Sequence, residues 1–310
     1  MSTTDTIDPL DMQPPRPVIF GEVLFDCFGE NEVPGGAPLN VAWHLHALGW
    51  NPLLVSRVGQ DDAGRAMVTR MRDWGMDTTG IQHDMEHPTG RVEIAMEGKS
   101  HTFDILADQA YDYIEPEVAR CAVNLRQCGL LYHGSLAMRG ASQQAFTRLF
   151  EAAEAPVFLD INLREPWWKK DAILAMIQRA SILKLNDDEL ELLQPDHLKG
   201  APFEEAARQV RVEWELDALW LTLGKDGALF CSAEMDALRV PLDDLDAPVV
   251  DTVGAGDSFS AALIGGYLKG STPEETAACA TALATRICGQ RGATAANMEV
   301  YKGLEAVTHG

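Results

Sequence analysis

The sequence predicts an α/β protein in three layers, α/β/α, with a central mostly parallel sheet, helices on both of its faces and a small β lid. Three observations carry that prediction. Short apolar runs alternate with helical periodicity along most of the chain. Two stretches, about 25–36 and 89–107, break the alternation and form the expected lid. The 310 residues, 46% of them apolar, suffice for one large core or two smaller ones.

From residue 17 the text reads PVIFGEVLFD, LNVAWHLHALGW, NPLLVSRVG and GRAMVTRMRDWG, that is strand, helix, strand, helix. The second interruption, TGRVEIAMEGKSHTFDILA, reads as a hairpin turning at EGKS. The alternation resumes with CGLLYHGSL, SQQAFTRLFEAAE, PVFLDIN, DAILAMIQRA, SILKLN, DDELELL, FEEAARQVRVEW and DALWLTLG. Right-handed crossovers between parallel strands place helices on both sheet faces. Two small-residue-rich helices, DSFSAALIGGYLKG and PEETAACATALATRICG, close the chain. The polar, proline-rich residues 1–17 read as a flexible leader, leaving 18–310 as the folded domain.

Composition narrows the function. The 25 basic against 47 acidic side chains give a formal charge of −22, which repels nucleic acid and anionic lipid and favours small-molecule chemistry. Six cysteines form no CxxC pair, no secretory leader is apparent and no apolar run is long enough to span a membrane, so a cytoplasmic protein with reduced thiols is expected.

The stretch DTVGAGDSF, residues 251–259, carries the chemistry. Gly254, Ala255 and Gly256 can bring backbone N–H groups close to an anion, and Asp257 follows at the helix start. Phosphoryl transfer to a hydroxyl needs those two things: donors for the developing oxygen charge and a carboxylate to take the proton. The bland reading of Asp257 is a helix cap. Neither GxxxxGK[ST] nor the spacing of GxGxxG occurs here.

DTVGAGDSF resembles the DTxGAGDxF signature of the ribokinase-like, or PfkB, carbohydrate kinases. GGAPLNVAWHLHALGWNPLLVSRVGQDDAGRAM follows that family's N-terminal signature, LNDDE resembles its NxxE motif, and LTLGKDGA resembles its nucleotide-contacting turn. The resemblance spans roughly residues 18–297 and implies a ribokinase-like fold. DINLREPWW is most similar to fructokinases and ketodeoxygluconate kinases.

The resemblance implies an ATP-dependent kinase acting on a primary hydroxyl of a neutral monosaccharide, fructokinase-like, with Asp257 as general base and the amides of Gly254, Ala255 and Gly256 as anion hole. It implies Asp26, the backbone of Gly35 and Gly36, and Asn40 for the sugar, with Arg164 for a phosphoryl group or a substrate carboxylate. Asn186, Thr222, Gly224 and Gly227 would border ATP, and Glu189 would hold Mg²⁺ through water. Asp251, Val253, Ile287, Gln290 and Gly292 map onto the family's K⁺ loop, where a serine often found near its end is Ala296. The Tyr-Arg pair that many fructokinases and ketodeoxygluconate kinases carry in the lid strand is absent, with Ile105 and Leu106 near its place, which counts against an acidic or phosphorylated sugar and weakens the case for fructose itself. A nucleoside or ketodeoxygluconate-type kinase is the same-class alternative; of aromatic lid residues able to stack on a base, only Phe103 is at hand. A non-catalytic sugar sensor is the alternative of another class, disfavoured by the intact GAGD. A homodimer could hide the flat face of the lid. His44 and His46, an i, i+2 pair, and Trp167 with Trp168 are expected to pack.

Overall fold

The fold is described from a computed structural model over residues 15–29, 31–97, 100–124, 128–241, 249–295 and 297–309. The first apolar run divides in two. Arg16–Phe20 forms β1, two residues inside the stretch expected to be leader, while Leu24–Phe28 forms β2 of the lid. Arg16 is held there by a buried ion pair to Asp77, 2.6 Å. Residues 1–14, the rest of the expected leader, lie outside the described residues.

The elements then follow as β3 (Asn31–Gly35), α1 (Ala37–Ala47), β4 (Leu53–Gly59), α2 (Asp62–Asp73), β5 (Ile81–Asp84), β6 (Gly90–Glu97), β7 (Ser100–Ile105), α3 (Pro116–Asn124), β8 (Cys128–Gly134) and α4 (Ser142–Ala153). After them come β9 (Val157–Asp160), α5 (Lys170–Ile177), β10 (Ile182–Asn186), α6 (Asp187–Leu193), α7 (Phe203–Glu213), β11 (Ala218–Thr222), β12 (Ala228–Ser232) and β13 (Leu238–Val240). The long helices α8 (Ala255–Lys269) and α9 (Pro273–Cys288) close the chain.

Nine strands build one sheet in the order β13-β12-β11-β10-β9-β8-β1-β4-β5, parallel except for the antiparallel edge β11-β12-β13. All five residues of β1 are buried, as a central strand covered on both faces requires. The lid is a separate four-stranded sheet, β3-β2-β6-β7, whose hairpin pairs Glu97 with Ser100 as the EGKS turn demands. Phe28 and Val33 are exposed on it.

Helix α1 is apolar nearly all round and buried at every position but His46, so it runs through the core. Its N-cap is Gly36, at φ +103°, where a Cβ would press on the Glu22 carbonyl. The cap has no side-chain partner; a proline in the first turn presets the helical φ instead.

Candidate active site

A cavity of about 430 Å³ lies at the carboxyl ends of the parallel strands, with Leu24, Asp26, Val92 and Ile105 of the lid on its other side. Strand ends are where an α/β sheet exposes backbone and loops, so ligands collect there. Of the residues singled out in the sequence, Asp26, Gly36, Asn40, Arg164, Asn186, Glu189, Thr222, Val253, Gly254, Gly256 and Asp257 line it. Gly35, Ala255, Gly224, Gly227, Asp251, Ile287, Gln290 and Gly292 stand outside that lining.

Helix α8 starts at Ala255, so Asp257 lies inside the first turn, three residues after the Gly254 cap. Gly254 is at φ +78°, and a Cβ there would collide with the backbone of Ala293; only glycine makes this turn. The first-turn amides of Gly256 and Asp257 have no preceding helical carbonyl to bond, which leaves them for a ligand. Asn40, one turn into α1, donates from Nδ2 to Asp257 Oδ2 at 2.8 Å. Burial pushes the Asp257 carboxyl up to about 6; Asn40 and Lys184 pull the other way, while Asp160 adds to the rise.

At the lid end, Asp26 stands in the middle of β2 and not at the end of the first strand, because that run divides at Gly21. Burial raises it to about 6 as well, against the pull of Arg164. Gly35 pairs with Leu24 across the lid and leaves room for the Asp26 carboxylate, which a Cβ would strike. Glu22, in the link between β1 and β2, was missed in the sequence. It is 4% exposed, its Oε2 has no hydrogen-bond partner and burial raises it to about 7. Asn40 Oδ1 is likewise buried without a partner.

The LNDDE motif forms a capping box at α6: Asn186 Oδ1 accepts from the Glu189 amide, 2.8 Å, and Glu189 Oε2 accepts from the Asn186 amide, 2.9 Å. Glu189 Oε1 accepts from the Leu163 amide, 2.9 Å, so both of its oxygens already serve the backbone. Gly224 and Gly227 make the tight turn between β11 and β12 at positive φ, and Thr222 at the strand end reaches the cavity.

Asp251 joins two loops. Its Oδ1 accepts from the Val253 amide and its Oδ2 from the Gly292 amide, both 3.1 Å. The carbonyl of Ile287 takes the Gln290 amide, and Gln290 Nε2 is buried without a partner. Ala296 lies outside the described residues, and so does the Phe103 side chain.

Two further residues went unread. Asp160 and Lys184, paired across β9 and β10, line the cavity floor and form an ion pair of 2.9 Å. Asp160 stands in the otherwise apolar, buried strand VFLD, and Lys184 in ILKLN, buried up to its last residue Asn186. A charge in such a strand is the signal that was available. Arg164, in contrast, is exposed and donates to the Leu163 carbonyl, 2.9 Å. No arginine stands in the lid strand near Ile105; Arg139 instead approaches from the loop after β8, binding Asp112 at 2.6 Å and the Leu106 carbonyl at 2.7 Å. Trp167 packs on the Arg139 guanidinium and donates to the Ile105 carbonyl. His44 is buried between Tyr301 and the Ala293 carbonyl, a structural place.

An aspartate beside free amides at a helix start, at the end of a doubly wound sheet and below a β lid, matches the pfkB family carbohydrate kinases, whose profile covers residues 5–300. The chain belongs to that family. Its relatives include the probable fructokinase-3 of Arabidopsis thaliana, 28% identical over 260 residues, 80% of this chain and 73% of that protein. The aminoimidazole riboside kinase of Salmonella typhimurium is 30% identical over 267 residues, 81% of this chain and 79% of that protein. The structure of the Salmonella enterica aminoimidazole riboside kinase with aminoimidazole riboside and an ATP analogue superposes with a TM-score of 0.77 at 26% identity, covering 94% of this chain and 99% of that one. As a PfkB sugar kinase the protein is a phosphotransferase acting on an alcohol group, and its fold is ribokinase-like. No described helix is long and apolar enough to cross a membrane, and the six cysteines are free.

Proposed function

We propose that this PfkB kinase transfers the γ-phosphoryl group of ATP to a primary hydroxyl of a neutral monosaccharide, with Asp257 as general base. The observation that carries the proposal is the Asn40–Asp257 hydrogen bond, which fixes the carboxylate between the sugar end of the cavity and the Gly254–Gly256 amides. The sugar hydroxyl attacks the γ-phosphorus, the bond from that phosphorus to the bridging oxygen of ADP breaks, and the hydroxyl proton goes to Asp257. The loop amides and the helix N-terminus take the charge that develops on the phosphoryl oxygens.

Two buried acceptors without partners, Glu22 Oε2 and Asn40 Oδ1, fit a ligand rich in hydroxyls, as does the Asp26 carboxylate. Such acceptors reject analogues that lack the hydroxyl. With the Glu22 and Asp26 carboxylates at this end the site disfavours an acidic sugar, which speaks against the ketodeoxygluconate reading. The likeness to a riboside kinase favours a nucleoside as second reading, but among the described residues no aromatic ring lines the cavity to stack on a base.

Thr222 and Asn186 border the ATP side, with the Gly224 and Gly227 turn behind them. No group of three acidic, histidine or cysteine side chains able to hold a metal exists among the described residues. A carboxylate oxygen with one backbone bond keeps a second lone pair, so Glu189 fits a water-mediated contact to Mg²⁺ carried in on the phosphates. Bound there, the ion neutralises phosphate charge. Potassium would be held by Asp251 with the carbonyls of Val253, Ile287, Gln290 and Gly292, at the junction that supports the loop. Pairing of two lids would cover Phe28 and Val33, and light scattering that finds only monomer removes that dimer.

ADP release measured against fructose, other neutral hexoses, ribosides and ketodeoxygluconate tests the reading. Turnover with a neutral hexose is expected. Preference for a riboside moves the assignment to the nucleoside reading, and sugar binding without turnover moves it to a sensor.

A further inference from the structure

Among the described residues, the cavity lining contains two cationic side chains, and they differ in how they are held. Arg164 is exposed and tethered to its own loop. Lys184 is 8% exposed, on a central strand of the sheet, and its Nζ is fixed by Asp160 Oδ1 at 2.9 Å. Asp160 is itself fixed: its Oδ2 accepts from Ser260 Oγ at 2.7 Å and faces the Tyr132 hydroxyl at 3.5 Å. Ser260 stands on α8, one turn beyond Asp257, so this network joins the sheet floor to the helix that carries the base. The Lys184 ammonium also reaches the anion loop, for a Cβ built on Gly256 would stand 3.3 Å from Nζ.

An ammonium has three N–H donors, and Asp160 takes one. The others are left on the cavity side, against the unbonded amides of Gly256 and Asp257; the Ala255 amide, expected in the anion hole, donates instead to the Thr252 carbonyl at 3.3 Å. Resting on the kinase reading above, we propose that Lys184 is a catalytic residue that contacts the phosphoryl group in flight, as a fixed cation facing Asp257 across the reacting atoms. A loose phosphoryl-transfer transition state spreads negative charge over three equatorial oxygens, so a cation already in place there needs no reorganisation at the moment of reaction. Asp160 is then a positioning residue: it aims Lys184 through Oδ1, while Ser260 and Tyr132 hold its Oδ2. Arg164, exposed and bonded to the Leu163 carbonyl, lacks such a fixed place.

Lys184→Met leaves Asp160 buried without its cation and can fail to fold, since breaking one partner of a buried pair is strongly destabilising. The double variant Asp160→Asn/Lys184→Met removes both charges and serves as the second reading. Two quantities are measured on each folded variant: kcat with the sugar the wild type accepts, and ADP affinity with and without aluminium fluoride, the fluoride standing in for the phosphoryl group. The expected result is a loss of about 10²- to 10³-fold in kcat, the scale of removing one preorganised donor. ADP affinity alone should stay within about threefold, while fluoride should no longer tighten it. A merely structural Lys184 would weaken ADP binding with and without fluoride alike. A folded double variant that keeps kcat within about fivefold of wild type, or that keeps the fluoride tightening, overturns the proposal. A wild type that binds ADP but shows no fluoride tightening overturns it too. A wild type that shows the tightening yet phosphorylates no sugar in the panel defeats the substrate reading alone, and the ADP arm still decides the role of Lys184.

Discussion

The lid and the body each put an aspartate of raised basicity into the same cavity. Asp26 on β2 and Asp257 on α8 are both raised to about 6, and in both the largest cause is burial. Their neighbourhoods differ. Asp257 has an amide donor from Asn40 and lies beside Lys184, Asp160 and the open amides of the helix start. Among the described residues Asp26 has no hydrogen-bond donor, only the distant pull of Arg164 and the room that Gly35 leaves it. Raised basicity is therefore no mark of a catalytic base by itself. What separates them is the helix start with unbonded amides beside Asp257; in the proposed function the same chemical group would support the reaction on the body and recognition on the lid.

The largest expected effect breaks or confirms that division at the body. Asp257→Asn keeps the size of the side chain and an oxygen for capping, and removes the proton acceptor. General-base assistance is typically worth about 10² to 10⁴ in rate, so kcat should fall at least about a hundredfold while sugar affinity changes little. Steady-state kinetics that leave more than about a tenth of wild-type kcat would make Asp257 a helix cap. At the lid, Asp26→Ala should raise the sugar KM roughly 10- to 100-fold, the loss of a charged hydrogen-bond partner, with kcat within a few-fold. A kcat effect larger than the KM effect would erase the difference between the two aspartates.

A third expectation concerns pH, and here the two behave alike. Glu22, Asp26 and Asp257 have folded values of about 7, 6 and 6, above their ordinary values. The folded protein binds more protons than the unfolded chain between about pH 4 and 7, so stability falls as pH rises through that window. Melting temperature should rise from pH 7.5 to 5.5. Glu22→Gln should flatten that slope, by an amount up to about 3 kcal/mol for a shift from 4.5 to about 7. Asp77, held low at about 2 by its bonds to Thr79 and Arg16 against its own burial, works in the opposite sense only in stronger acid. Activity should move the other way, kcat/KM falling below about pH 6 as Asp257 takes a proton. A melting curve flat across this range would mean that the cavity carboxylates are fully solvated.

The smallest effect concerns the junction under the loop. Replacing K⁺ with tetramethylammonium should lower kcat by a few-fold if Asp251 and the 287–292 turn hold a cation. Asp251→Ala should lose that response together with part of the rate, since it also removes the bonds to the Val253 and Gly292 amides. Equal rates in the two salts remove the cation.

Sequence reading reached the architecture because the parallel strands are continuous apolar runs and the helices are periodic; the edge strands β5 and β13, the neighbouring β12 and helix α3 carry weaker patterns and passed unnoticed. The division of PVIFGEVLFD was hidden for a related reason. Its two halves belong to different sheets, yet both are apolar, and only Gly21 marks the break. Gly254, Gly256, Asp257 and Asn40 stand in the two quoted signatures, and Asp26 came only with the resemblance; all five line the cavity. Lys184 and Asp160 were not legible, because their partnership is set by strand pairing 24 residues apart, which no local pattern encodes. Glu22 hid inside the same apolar run as the division itself.

That division has a mechanical meaning. Three residues, 21–23, connect the buried strand β1 of the nine-stranded sheet to the lid, and a Cβ at Gly21 would run into Pro38 of α1. Were the lid to swing about so short a link, Asp26, farther out along β2, would sweep an arc while Glu22, within the link, would scarcely move. In the proposed function a sugar would then meet Glu22 and Asn40 first, and the contact with Asp26 would be the last to form.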